Sequence, residues 1–229
     1  MKKTIILNGK ALEYVLTRKS VKNINLRIRP DGSVAVSASK LVPLAVIENF
    51  IQANSDRIIS AVEKRGDKDT FSFKNGEKIA ILGKERAVFI SKGQKNSVEL
   101  ADDNIIVTAT ENADAKRIFE SYLKQLCLDT VTPICREVYP YFQKYGIAFP
   151  QIKVKQMVSR WGSCHPAKGI VTFSSYLMCA PIRCAKYVVL HEFTHFLHAN
   201  HSKDFYRELE KTAPDWKACK QILKQVKIR

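Results

Sequence analysis

No segment of this 229-residue chain approaches the ~18 consecutive apolar residues that a membrane-spanning helix needs. The apolar run near the start, Thr4–Leu7, is closed by Asn8-Gly9 and falls short of the ~7–15-residue core of a secretory signal. A cytoplasmic chain without a membrane partner is therefore expected. Cys127, Cys135, Cys164, Cys179, Cys184 and Cys219 contain no C-x-x-C pair. Without a signal they read as reduced thiols packed as small hydrophobes. Nine glycines and eight prolines are too few for a collagen or a loose linker protein. At 45% hydrophobic and 26% charged residues, the chain is not mostly disordered. No internal repeat or low-complexity tract is evident. Acidic charge is scarce, 22 Asp and Glu against 38 Lys and Arg, for a net charge of +16. The excess is spread along the chain, with no run of five basic residues. It reads either as attraction for nucleic acid or another polyanion or as a solvated basic surface.

The first 110 residues are patterned as strands. Leu12–Arg18, Ile24–Arg29, Val34–Ser37, Lys78–Leu82, Ala87–Ser91 and Ile105–Thr108 are β-branched or alternate apolar with polar. Pro30-Asp31-Gly32 is a turn signal. One helix is expected after Pro43, through Val46, Ile47, Phe50, Ile51, Ile58 and Val62. From Ala113 a helical period takes over, interrupted at Pro133 and Pro140. Short strands at 152–158 and 169–174 precede helices from Pro181 to about Asn200, Lys203 to Thr212 with Ser202 as N-cap, and Asp215 to Val226. The expected architecture is α+β, with a β-rich domain at 1–110 and a helix-rich domain at 111–229.

All five histidines fall between residues 165 and 201. His191-Glu192-Phe193-Thr194-His195 is an H-E-x-x-H on a predicted helix, where residues four apart share a face about one turn from each other. That spacing lets two imidazoles reach one metal ion at ~2.0–2.1 Å. Glu192, beside them, can accept a proton from a water held there. His201 follows His195 at the offset of a third metzincin ligand, with Asn200 suited to the left-handed turn that would swing it back. His198 competes, but His191 and His198 lie ~10.5 Å apart along a straight helix. A closed structural site with His198 or Cys164 as fourth ligand stays open as an alternative.

Tyr187 to His195, Asn200-His201-Ser202, Phe205-Tyr206 and Arg160-Trp161-Gly162-Ser163-Cys164, with Arg18-Lys19-Ser20, Pro30-Asp31-Gly32 and Ile81-Leu82-Gly83, make the chain resemble the YgjP-like metal-dependent hydrolases, which are related to the SprT-like group. The resemblance spans nearly the whole chain. It implies a zincin-like metallohydrolase domain, Zn2+ held by His191, His195 and His201, and Glu192 as general base. The chain departs from the family's usual residues at Ser174, Phe193 and Arg57, none of them a ligand position. Arg160 could clamp a carboxylate or phosphate, and backbone N–H groups at a tight Gly162-Ser163 turn could stabilise an oxyanion. Alternatively Trp161 fills the core and Arg160 pairs with a structural acid. His165 and Tyr206 are further candidates for an electrophilic helper. The expected function is a zinc-dependent hydrolase, a metallopeptidase by default. Arg160 and the basic charge keep open a phosphohydrolase acting on nucleotides. A third reading is a nucleic-acid-binding module with structural zinc.

Overall fold

The computed structural model describes residues 2–29, 32–66 and 73–226. The chain separates into two compact units, residues 1–70 and 71–229. In the first, β1 (Lys2–Leu7), β2 (Lys10–Arg18), β3 (Asn25–Ile28) and β4 (Val34–Ala38) form a sheet ordered β1-β2-β4-β3. Leu7, Tyr14, Leu16, Val34, Val36 and Ala38 bury one face against Ile47 of α1 (Leu44–Gln52) and Ile58 of α2 (Ser55–Gly66). One continuous helix was expected here. The break occurs at Ala53-Asn54, where the Asn54 side-chain amide donates to the Phe50 carbonyl at 2.8 Å while its own carbonyl accepts from Ile58 N. An asparagine that satisfies the end of one helix and starts the next leaves the apolar spacing unchanged, so periodicity cannot reveal it. Gly32 adopts φ +80°, as a turn requires, whereas Pro30 and Asp31 lie outside the described residues.

The second unit begins with the same module. β5 (Lys78–Ile81), β6 (Lys84–Lys92), β7 (Ser97–Leu100) and β8 (Asn104–Ala109) are ordered β5-β6-β8-β7. In both sheets the outer pairs are antiparallel and the middle pair parallel. The first hairpin of each turns through two left-handed residues, Asn8-Gly9 (φ 48°, 78°) and Leu82-Gly83 (φ 53°, 86°), the turn that matches strand twist. The bond Lys19 N to Ala38 O, 3.0 Å, has its counterpart in Gly93 N to Ala109 O, 3.1 Å. A helix starts six residues after each of these alanines. The sequence shows no internal repeat, yet the strand order and pairing repeat. The duplication lies in register and turn geometry, and the side chains share little beyond their apolar alternation. β1 and β7, both short edge strands, were also not anticipated.

The division at residue 70 differs from the expected boundary at 110. Strand composition does continue to 109, but Ile81, Val88, Ile105 and Val107 share one core with the helices that follow. The hairpin turn of the second module fits directly onto the start of a later helix. Leu82 N donates to Met178 O at 2.7 Å. A Cβ at Gly83 would stand 3.2 Å from Pro181 Cα, so only glycine lets this turn lie so close.

α3 (Ala115–Gln143) is a single helix despite containing Pro133 and Pro140. Each proline removes one backbone hydrogen bond. The buried row Phe119, Leu123, Cys127, Val131, Cys135, Val138 and Phe142 carries the helix through both positions. Burial of seven side chains at ~1.5–3 kcal/mol for each large one outweighs two interior prolines at about 3 kcal/mol each. A three-stranded sheet follows, ordered β10-β11-β9, from β9 (Gln151–Lys155), β10 (Gly162–His165) and β11 (Ile170–Ser174). A 3-10 turn at Ser175–Cys179 leads to α4 (Ile182–Thr194), α5 (Lys203–Thr212) and α6 (Trp216–Gln225). A strand-rich part followed by a helix-rich part is the order expected. Five of the six cysteines are buried, Cys164 is half-buried, and all six are free. No described helix is long and apolar enough to cross a membrane.

Candidate metal centre

α4 is apolar where it is packed: Cys184, Ala185, Val188, Val189 and Phe193 are buried, so its register is fixed before any histidine is considered. His191 and His195 then lie one turn apart, ring centroids 5.1 Å from each other. The helix ends at Thr194, earlier than Asn200. Phe196 N and Leu197 N bond to the carbonyls of Phe193 and Thr194 in tight terminal turns. Asn200 is not left-handed; the early helix end supplies the reversal that residue was expected to provide. His201 is placed by α5, whose N-cap Ser202 accepts from Phe205 N at 3.3 Å. Its ring centroid lies 4.9 Å from that of His191 and 4.8 Å from that of His195.

One ligand atom from each of His191, His195 and His201 falls within 4.8 Å of the others. His195 Nδ1 lies 3.1 Å from the His198 carbonyl. A carbonyl only accepts, so Nδ1 carries the hydrogen and Nε2 is left with a free lone pair. His198 thus orients a ring through its backbone, and its own imidazole is outside the triad. His191 Nε2 and His201 Nε2 stand 3.0 Å apart. Burial, followed by the neighbouring His195, His201 and Lys220, pushes the His191 pKa down to about 3, so this ring is neutral at pH 7. Its other nitrogen, Nδ1, is buried without a hydrogen-bond partner. Nitrogens ~2.0–2.1 Å from one tetrahedral ion stand ~3.3–3.4 Å apart. The donor set therefore fits a shared cation.

Glu192 is 5% exposed. Burial pushes its carboxyl up to about 8, opposed by the Arg160 guanidinium and a Cys164 backbone hydrogen bond. A cation held by the adjacent histidines would draw it back down, toward the carboxylate form that a general base needs. Gly162 and Ser163 belong to β10 and do not form the tight turn expected; pairing Gly162 with Phe173 and Cys164 with Val171 keeps this segment extended. Its consequence is close contact. A Cβ at Gly162 would lie 2.6 Å from Glu192 Oε1 and 2.7 Å from Cγ, inside the closest approach of real atoms.

The histidines and Glu192 open onto a cleft of about 700 Å³. β10 and the residues before it supply Arg160, Trp161 and Gly162, α4 supplies Tyr187 and Val188, and α6 supplies Lys220, Leu223 and Lys224. Arg160 is thus brought to the site, and half-buried Trp161 packs on the core while lining the cleft. His165 is exposed at the end of β10 and does not line the cleft. Tyr206 does not line it either: its ring stacks on Trp216 at 4.9 Å and on His201 at 6.2 Å, so it supports the His201 ring.

Sequence reasoning missed two features. Fully buried Phe205 packs against all three imidazoles at 4.7–5.0 Å, forming the apolar floor of the triad. Its position one turn into α5 was the available signal. The second is Glu208, a buried carboxylate that accepts from Tyr141 Oη and from Lys211 Nζ, the latter at 2.6 Å, and so ties α5 to α3. Burial alone would push its pKa up; the bonds from Lys211 and Tyr141 outweigh this and hold it below the usual carboxylate range. A folded-state pKa that is lowered adds stability above the unfolded value, ~4.3, and that stability is lost as pH falls through the folded value. Glu208→Gln is expected to cost about 1–3 kcal/mol at pH 7, read by urea unfolding. The difference from wild type should shrink at pH 3; an equal difference at both pH values would mean that the charge contributes nothing.

The YgjP-like metallopeptidase-domain model matches residues 22–226. The chain belongs to the YgjP-like family. No curated protein matches it. Among solved structures, this YgjP-like chain is similar to the crystal structure of the metallopeptidase zymogen abylysin of Pyrococcus abyssi. Identity there is 17%, with a TM-score of 0.35, over 42% of this chain and 94% of the other. A YgjP-like metallopeptidase domain implies a metal, and the histidine triad of this chain is able to hold one.

Proposed function

We propose that the chain is a zinc-dependent peptidase in which His191, His195 and His201 hold the ion and Glu192 is the general base. The observation that carries this reading is a convergent three-histidine donor set with a buried glutamate beside it, all opening on one cleft. When bound, Zn2+ supplies Lewis-acid polarisation and lowers the pKa of water toward ~7. Glu192, clasped by Gly162 and hydrogen-bonded by the Cys164 backbone, is held where it can accept a proton from the attacking water and return it to the leaving amine. His195 keeps its orientation through the His198 carbonyl, and Phe205 excludes water from beneath the triad. β10 is an edge strand beside Glu192, so its outer side is suited to pairing with an extended peptide. That feature favours a peptide over a nucleotide.

The purified protein is expected to carry about one zinc per chain by elemental analysis. His201→Ala should lower occupancy far more than His198→Ala; equal losses would overturn the ligand assignment. Metal-loaded protein should hydrolyse unstructured peptides and leave nucleoside triphosphates intact. Hydrolysis of the triphosphates alone would replace the peptidase reading with the phosphohydrolase one. The +16 net charge is proposed to give binding to DNA, RNA or heparin that weakens steeply with salt. Absence of binding at ~20 mM salt would leave it a solvated surface.

A further inference from the structure

α6 turns one basic face to the cleft. Lys220 and Lys224, four residues apart and so on one side of the helix, line it together with Leu223. Arg160 lines it from the segment before β10. The one carboxylate in that lining, Glu192, is buried and already hydrogen-bonded. Neighbouring lysines are neutralised: Lys217 pairs with Glu210 at 3.4 Å and Lys211 with Glu208 at 2.6 Å. Among the described residues, Lys220, Lys224 and Arg160 make no ion pair within 4.0 Å. The Lys220 ammonium is held over Trp216 at 5.5 Å and Tyr206 at 5.9 Å. Aromatic faces under an ammonium hold it in place without neutralising it.

We infer that this face of α6 is a carboxylate-binding subsite, through which the enzyme selects peptides bearing an acidic side chain or a free C-terminus near the scissile bond. The inference rests on the peptidase reading and adds the substrate class to it. The carboxylate meets Lys220 and Lys224, while the apolar part of the residue lies along Leu223. A phosphate ester is a weaker match. The cleft combines its cations with apolar and aromatic walls at Trp161, Tyr187 and Val188, and the Cys164 backbone N–H, a natural phosphate donor, is already used by Glu192.

The test uses the zinc-loaded 229-residue chain and matched fluorogenic peptides that carry Glu, Gln or Lys at each position around the cleavage site, each with a free or amidated C-terminus. The Glu peptides, or the free-acid peptides, should show kcat/KM about tenfold above their neutral matches at low salt, as expected for two charge pairs at the edge of a cleft. The position of the effect tells side chain from C-terminus. Lys220→Glu/Lys224→Glu should invert the order in favour of Lys peptides. Ratios within twofold of one that the double variant leaves unmoved would overturn the inference. So would competition by inorganic phosphate or AMP as strong as that by the acidic peptide. A binding arm separates the two readings: fluorescence anisotropy of labelled peptides on zinc-loaded Glu192→Gln. If no peptide is hydrolysed yet Glu peptides bind about tenfold tighter in a Lys220- and Lys224-dependent way, the peptidase reading fails and the subsite stands. If peptides are hydrolysed and no charge preference appears in rate or binding, the subsite alone fails.

Discussion

Glu192→Gln is expected to fold, to keep its zinc and to lose about 10²–10⁴-fold in peptide hydrolysis. Glutamine retains the size of the side chain and can still accept the Cys164 backbone hydrogen bond, so the contact with Gly162 survives. What it lacks is a carboxylate able to take a proton and pass it on. On the proposed assignment the ligand atoms come from three histidines, so removing this carboxylate would take nothing from the metal. Turnover and zinc content of the same preparation settle the role. Loss of zinc together with activity would make Glu192 a structural residue or a ligand. Unchanged turnover would place the hydrolysis at another site.

Gly162→Ala should approach the same loss by a different route. The new Cβ would stand 2.6–2.8 Å from Glu192 Oε1, Cγ and Cδ. Either the carboxylate leaves its position or β10 moves away from α4. Glu192 is buried, and β10 is paired to β11, so neither movement is free. A displacement of ~1 Å at a catalytic group can cost ~10²-fold in rate. The expected result is a drop in kcat of at least about tenfold with zinc occupancy intact. Adding Gly162→Ala to Glu192→Gln should then lower turnover little further, because both act through one carboxylate. Full additivity in the double variant would show that Gly162 serves some purpose other than positioning Glu192.

The parts of this molecule that were legible in its sequence are those governed by short-range geometry. His191, Glu192 and His195 belong to one helical turn, and the 3.6-residue period alone places the two imidazoles on one face and the carboxylate next to them. Ser202 as an N-cap was readable because a hydroxyl three residues before an amide donor is a local event. Apolar alternation identified most strands of both modules for the same reason. His201 was recognisable by its offset, but the means of its return was not. The turn comes from where α4 ends and α5 begins, and those ends depend on what each helix buries.

Only tertiary structure decided the rest. Pro133 and Pro140 predict an interruption locally, yet seven buried side chains carry α3 through both. Gly162 and Glu192 are thirty residues apart in the chain, and their contact exists because β10 lies against α4. The cationic wall of the cleft comes from α6, a helix whose lysines look like any solvated face until the fold sets Lys220 and Lys224 beside the histidines. The twofold repetition of the four-stranded module was hidden because backbone pairing and turn conformation define it, and many apolar sequences satisfy the same pattern. Sequence determined the local chemistry of the histidine helix, since one turn of backbone is enough to build it. The fold determined which distant residues clasp, floor and charge that site, since their contacts form only when separate elements pack into one core.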